Sequence, residues 1–414
     1  MAGAEPLGMV KGATMLPYGR QLIEEDDIAA VTAQLRSDWL TQGPMVAKFE
    51  EALTGLTGAR FAVAVSSGTA ALHLAALAAG VRDGDTGVTS DVTFVASANC
   101  IRYAGGKPAL ADVDPTTGHI SLPALRSVVA NLKAAGKPPR VIVPVDFSGS
   151  VADLEGVRAI ADEVGAMVIE DAAHSLGATY TSREGERLKA GNCRHAQLAI
   201  LSFHPVKHIT TGEGGAILTN DEGAYRELLE LRTHGITKDP ARLTKVDGPW
   251  YYEQQSLGYH YRLTDVQCAL GVSQAGKLDR FVARRRAIAE RYNQAFGASP
   301  FRELLKPLAA RPGVESSYHL YVIRLTPAPD ETSSSVAARR RALYDGLRER
   351  GIAPQVHYIP VHTQPDYQRA GFSEGNFPGA DAYYAGCLSL PMFPGMTDAD
   401  VDRVVNAVGE VLTP

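Results

Sequence analysis

The chain has 414 residues, 45% of them hydrophobic and 21% charged; this is the profile of a soluble globular protein too long for one ordinary core, so two domains are expected. Its formal charge of −5 argues against nucleic acid or an anionic membrane as the main partner, and no apolar run of about eighteen residues exists to span a bilayer. Cys100, Cys193, Cys268 and Cys387 are scattered and form no C-x-x-C pair, so neither a metal site nor a disulfide framework is expected, and a reducing cytoplasm fits best.

At the start, Met1–Thr14 shows no basic segment followed by an apolar core, so no signal peptide is expected. Phe61–Val65 reads as a strand and Thr69–Ala79 as a helix closed by Gly80. Ala109–Val113, Val141–Val145, Met167–Ile169, Leu198–Leu201 and Ala216–Leu218 read as further strands, with helical patterns such as Ala152–Val164 and Glu222–Arg232 between several of them. Short apolar strands with helical crossovers predict an α/β fold, a mostly parallel sheet covered on both faces. Ligands bind beyond the carboxyl ends of such strands. Ser66, Asp171 and Ser202 each stand at one.

The chain changes character near Gly276, which divides it into an N-terminal arm with a large domain (1–275) and a smaller α+β domain (276–414). The second part reads as an Arg-rich helix (Leu278–Phe296), a strand (His319–Leu325), a helix (Ser335–Arg350) closed by Gly351, a strand (Ala353–Tyr358) and a terminal helix (Asp398–Leu412). Glu331–Ser335 reads as a mobile polar tip. The Arg284–Arg286 and Arg339–Arg341 runs read as solvated helix faces.

Ser66-Ser67-Gly68-Thr69 lies between a strand and an Ala-rich helix. A helix start presents unpaired amides and the positive end of the dipole, so Gly68 and Thr69 suit a phosphate; a plain N-cap is the alternative. Asp171 ends an apolar run. A carboxylate there needs a cation, which a pyridinium nitrogen supplies, or else it caps a helix. His174 could contact a ring hydroxyl or simply pack. Phe94 could stack on a cofactor ring or belong to the core. Lys207 is flanked by Pro205 and by Gly212, Gly214 and Gly215, which makes its segment a constrained loop. Desolvation and nearby positive charge make such a lysine nucleophilic, and Ser202 could donate to a phosphate. A candidate Schiff-base lysine and an aspartate at a neighbouring strand end together suggest pyridoxal phosphate (PLP) chemistry.

Five segments carry a resemblance: Ser67–Leu72, Thr93–Ala96, Glu170–His174, Ser202–Lys207 and Gly212–Gly215. They resemble the nucleotide-sugar aminotransferases of the DegT/DnrJ/StrS group. The likeness extends to Pro17–Arg20, Leu40–Pro44, Gly258–Asp265 and Leu388–Pro391, so it covers nearly the whole chain in the same order. Within the group, the Pro-Val-Lys-His-Ile-Thr-Thr wording around Lys207 is most like the UDP-4-amino-4,6-dideoxy-N-acetyl-β-L-altrosamine transaminases of pseudaminic acid synthesis.

The resemblance implies a PLP-dependent aminotransferase type I fold and a homodimer with shared active sites. It makes Lys207 the Schiff-base lysine and Asp171 the partner of the pyridine nitrogen. Gly68, Thr69 and Ser202 would hold the phosphate, Phe94 would cover the ring, and His174 would lie near its hydroxyl. The Tyr259–Arg262 loop would reach the other subunit's cofactor, with His260 where the group usually has asparagine; a histidine can still donate to phosphate. The group has a more apolar strand where this chain reads Asp85-Thr86-Gly87-Val88, and Gly87 should weaken it. Related sugar 3-dehydratases carry histidine at position 207, so this chain resembles the aminotransferases.

The implied reaction takes an amino group from L-glutamate, passes through pyridoxamine phosphate, and delivers it to a nucleotide-linked 4-keto-6-deoxy sugar. Tyr318, His319, Tyr321 and Arg324, with His357, His362 and Arg232, are candidate sugar contacts; Arg20 or Arg262 could meet the diphosphate. The same chemistry on another keto acceptor (a 3-keto sugar, a cyclitol or a small ketone) stays open, as does a regulatory protein that binds PLP without turnover.

Overall fold

The computed structural model describes residues 15–372 and 377–413; the reading of Met1–Thr14 lies outside them. The central sheet has seven strands: β1 (Phe61–Val65), β2 (Thr86–Ser90), β3 (Lys107–Ala111), β4 (Val141–Val143), β5 (Met167–Asp171), β6 (Leu198–Ser202) and β7 (Gly215–Thr219). Their order is β1-β7-β6-β5-β4-β2-β3. Only β7 runs against its neighbours; the other pairings are parallel.

Alternation along these strands sends side chains to two faces. Val63 and Val65 of β1 join Ile169, Ile200 and Ile217 under α3 (Gly68–Ala78), α4 (Ala96–Tyr103) and α7 (Glu222–Arg232). Ala62 and Ala64 face the other way, toward Phe49 and Leu53 of α2 (Pro44–Thr57) and Cys268 of α8 (Asp265–Ala275). Further along that face, Val88, Ile142 and Val168 pack under Leu125 of α5 (Leu122–Ala134) and Ile160 of α6 (Leu154–Asp162). α3 buries every residue from Ala70 to Ala76, as expected of a helix without a polar face.

The weakening expected at Gly87 is not seen. β2 pairs with β3 and β4, and a Cβ at Gly87 would stand 2.7 Å from both Ile101 Cδ1 and Val141 Cγ2. Glycine lets α4 settle on the strand.

A second, antiparallel sheet contains β8 (Leu305–Pro307), β9 (Tyr321–Leu325) and β10 (Cys387–Leu390). Its neighbours are α9 (Leu278–Phe296), α10 (Ser333–Glu349), α11 (Pro378–Gly386) and α12 (Asp398–Leu412). Four expectations need correction. The strand expected over Ala353–Tyr358 is confined to Ile352–Ala353, which pairs with Leu16–Pro17; beyond it only Gln355 makes a single bridge, to Ser389 of β10. The strand expected from His319 begins at Tyr321. The expected tip at Glu331–Ser335 is tied down: Thr332 caps α10, and Glu331 accepts from Ser335 Oγ at 2.9 Å and Arg339 at 2.8 Å. The Arg284–Arg286 run is not a solvated face, because Arg285 is completely buried.

Among the described residues no helix is long and apolar enough to cross a membrane. All four cysteines are free thiols and buried.

Candidate active site

The strand ends of the sheet supply the site. β1 ends at Val65, and the chain enters α3 through Ser66 and Ser67. Ser67 Oγ accepts the Ala70 amide at 3.0 Å, so the N-cap expectation holds. Gly68 and Thr69 contribute amides of the kind a helix start leaves without intrahelical partners. Gly68 lies against the end of β6: a Cβ there would come 2.9 Å from Ser202 Cβ and 3.1 Å from Ser202 Oγ. The lack of a side chain thus places amides and a hydroxyl side by side, a donor set suited to phosphate.

Asp171 closes β5 and is buried. Ser97 Oγ donates to its Oδ2 at 2.6 Å, and the Ala173 amide to its Oδ1 at 3.2 Å. Burial raises its pKa; the Ser97 and Ala173 bonds and the Lys207 charge oppose that rise. A cation beside it would complete the environment that an ionised carboxylate requires. Its neighbour Glu170 points to the other face, where it accepts the Gly191 amide at 3.0 Å and pairs with Asp146.

Lys207 follows β6 on the loop to Gly215, and its amide donates to the His204 carbonyl at 2.9 Å. Desolvation lowers the amine to about 8; Asp171 opposes the shift and Arg285 adds to it. Roughly a tenth of such an amine is neutral at pH 7, hundreds of times more than in an ordinary lysine.

His174 is buried, and burial with nearby cations holds it well below its ordinary pKa, hence neutral. Its Nε2 lies 3.1 Å from Tyr358 Oη, while its Nδ1 has no partner. A buried ring nitrogen left open is a place for a ligand atom. Phe94 is 57% exposed and meets the Tyr358 ring at 6.1 Å, so it is not a core residue but an aromatic face beside the pocket. PLP needs amides for its phosphate, a carboxylate for its nitrogen, a polar group for its hydroxyl and an amine for its aldehyde. Each is present.

Other candidates are engaged elsewhere. His260 is exposed, with Nε2 3.0 Å from Arg262 Nη2 and its ring 5.5 Å from that of His234. Arg232 holds Glu50 at 2.6 Å and the Ala64 carbonyl at 2.9 Å. His362 is fully buried against Asp91, and Tyr321 Oη donates to Asn293 in the small sheet's core. His319 does reach the site, its ring 4.3 Å from His174. Ser97, Tyr358 and Arg285 were not anticipated. Ser97 carries a signal in retrospect, since it lies one helical turn beyond Thr93-Phe94; Tyr358 and Arg285 arrive from distant segments.

The one acid cluster among the described residues compact enough for a metal ion, Glu24, Asp26 and Asp27, already holds Lys277 Nζ, 2.6 Å from Asp26 and 2.8 Å from Asp27.

The fold is that of a PLP-dependent aminotransferase of the type I fold. The chain belongs to the DegT/DnrJ/EryC1/StrS aminotransferase family, whose model matches residues 21–409. The spore coat polysaccharide biosynthesis protein SpsC of Bacillus subtilis is 39% identical over 96% of this chain and 97% of its own length. Helicobacter pylori PseC, an aminotransferase involved in the biosynthesis of pseudoaminic acid, superposes with a TM-score of 0.84 at 28% identity, covering 96% of this chain and 99% of that one. Spr1654 from Streptococcus pneumoniae, in its PLP form, has the same TM-score and identity over 96% of this chain and 100% of its own.

Proposed function

We propose that this enzyme transfers the amino group of L-glutamate to a nucleotide-linked 4-keto-6-deoxy sugar, in the cytoplasm, as a homodimer whose subunits share their active sites. The observation that carries the aminotransferase chemistry is the Lys207 amine, drawn down to about 8 in a pocket that also holds Asp171. The sugar acceptor is supported by the likeness to PseC and SpsC.

When bound, PLP supplies an aldehyde that condenses with amines and a protonated ring that accepts electrons. Lys207 Nζ is the amine that holds it and, once released, the base that takes the proton from the donor's α-carbon. Asp171 would accept the pyridinium N–H. Gly68, Thr69 and Ser202 would hold the phosphate, Phe94 would cover the ring, and His174 would lie near the ring hydroxyl. His260 would serve the partner's phosphate. Support for a second copy comes from the exposed apolar side chains Trp39, Leu40, Trp250, Tyr252 and Leu257, which association would cover.

The test is a panel of UDP-, dTDP- and GDP-linked keto-sugars with glutamate as donor, the product assigned by NMR. Amination of a 4-keto nucleotide sugar is expected. Turnover only with a 3-keto sugar, a cyclitol or a small ketone would replace the acceptor, and no turnover with any of them would replace the reading.

A further inference from the structure

The three consecutive arginines of α9 all donate to backbone carbonyls of neighbouring segments. Arg284 Nη2 donates to the Met396 carbonyl at 2.6 Å. Arg286 Nε donates to the Ser316 carbonyl at 2.9 Å. Arg285, between them, is fully buried, and its Nη1 donates to the carbonyls of Tyr318 at 3.2 Å, His319 at 3.2 Å and Met392 at 2.9 Å. Its Nε and Nη2 have no partner. Burial pulls its pKa down to about 9 with no acid offsetting the shift, and it is cationic at neutral pH. A guanidinium buried without a carboxylate is a costly arrangement.

The segment that Arg285 and Arg286 clamp adjoins the pocket. Ser317 accepts from His208 Nε2 at 3.1 Å, and His208 is the residue after Lys207. Ser317 Oγ reaches the His174 carbonyl at 3.3 Å. Tyr318 sits in the left-handed region at φ 51°, which turns the chain so that His319 lies against His174. Several titratable groups surround the amine. They are Asp171 from β5, His174 beyond it, His208 on the lysine's own loop and His319 on the clamped turn. His357 and Tyr358 enter from the small-sheet side and Arg285 from α9. Burial keeps the four imidazoles and the phenol neutral. Asp171 and Arg285 are the opposed charges.

We propose that Arg285 is a positioning residue of this active site: it fixes the Ser316–His319 turn beside the pocket and supplies the permanent positive charge that opposes Asp171 at the Lys207 amine. This rests on the reading of Lys207 as the Schiff-base lysine. Loss of the charge leaves Asp171 unopposed and favours the ammonium form, which cannot attack an aldehyde.

The test uses the full-length apoprotein. Lys207 is labelled with acetic anhydride across a pH series, and acetylation of its peptide is read by mass spectrometry. In Arg285→Gln the midpoint is expected to rise by about one pH unit, a tenfold loss of neutral amine below it. Arg286→Gln loosens the same turn at Ser316 but leaves the Arg285 charge in place, so it should hold the wild-type midpoint while unfolding at a lower temperature. An unmoved midpoint in Arg285→Gln overturns the proposal, as does a midpoint in Arg286→Gln that shifts with the lost stability. Should Arg285→Gln fail to fold, Arg285→Lys decides: an amine in that desolvated site sheds its proton far more readily than a guanidinium, so its midpoint should rise too, and an unmoved midpoint overturns the proposal. Borohydride trapping of PLP on wild-type protein tests the underlying reading separately: no adduct at Lys207 sinks that reading, whereas an unmoved midpoint sinks only this one.

Discussion

Ser97 Oγ lies 2.6 Å from Asp171 Oδ2, with both residues buried. The bond crosses from the first turn of α4 to the end of β5, so the helix that follows Phe94 also orients the acid. One hydroxyl and one amide do not replace the water that an ionised carboxylate gives up. The folded apoprotein therefore releases the Asp171 proton at a higher pH than the unfolded chain, which sheds it near 3.8. Stability from this group falls as pH rises from that value toward the raised one, because there the native state binds more protons.

Asp171→Asn removes the buried charge and keeps the shape. Without cofactor, the variant is expected to unfold at a higher temperature than wild type at neutral pH. With PLP and substrates, its turnover is expected to fall on the order of a hundredfold or more, the scale of losing one electrostatic partner at a reacting centre. Thermal unfolding of both apoproteins checks the first; a less stable variant would contradict it.

Lys207→Ala is expected to bind PLP without a covalent link and to lose roughly a thousandfold or more in turnover, since nucleophile and base disappear together. Borohydride trapping and steady-state assays read the two effects. The sign of the pH dependence is opposite to that of Asp171. Lys207 is neutral in the fold above about 8 and charged in the unfolded chain up to 10.5. Wild-type stability should therefore climb across that window. In Lys207→Met the climb should be shallower and begin later, only where Arg285, drawn down to about 9, starts to contribute its own rise.

Gly87→Ala forces a methyl against Ile101 and Val141. We expect a loss of about 1 to 3 kcal/mol, the usual cost of overpacking, measured by urea unfolding. Gly87 has an ordinary strand conformation, so the loss tests packing alone; an unchanged midpoint would show that α4 yields.

Asp91 and His362 form a buried pair, Oδ2 to Nδ1 at 2.6 Å, and the His362 amide donates to Oδ1 at 2.9 Å. They tie the loop leading to Phe94 to the Val361–Thr363 turn. Asp91→Ala leaves a buried imidazole and an amide without that acceptor, and should cost about 3 to 5 kcal/mol. Urea unfolding at pH 7 checks this, and a loss below about 1 kcal/mol would mean that the pair behaves like a surface contact.

Local chemistry made part of this legible in the sequence. Runs of Val, Ile and Ala bounded by Gly placed six of the seven central strands, and the polar residues that end three of those runs (Ser66, Asp171 and Ser202) meet at one edge. The remaining strand, Thr86–Ser90, was obscured by its glycine, whose reason lies in the distant Ile101. Tyr358 and Arg285 could not be found this way. One sits beyond a strand that stops early; the other is the middle member of a basic triplet whose neighbours do reach solvent. Only packing distinguishes them.

The loop bearing Lys207 leaves the sheet at Ser202 and re-enters it at Gly215, and those two residues pair with each other. The reversed direction of β7 makes this possible. Both ends of the tether are therefore anchored at a single point on a rigid frame. In the role proposed for it, a lysine that lets go of its cofactor and recaptures it in every cycle would swing from a fixed hinge, and would find the same seat each time without the rest of the molecule having to move.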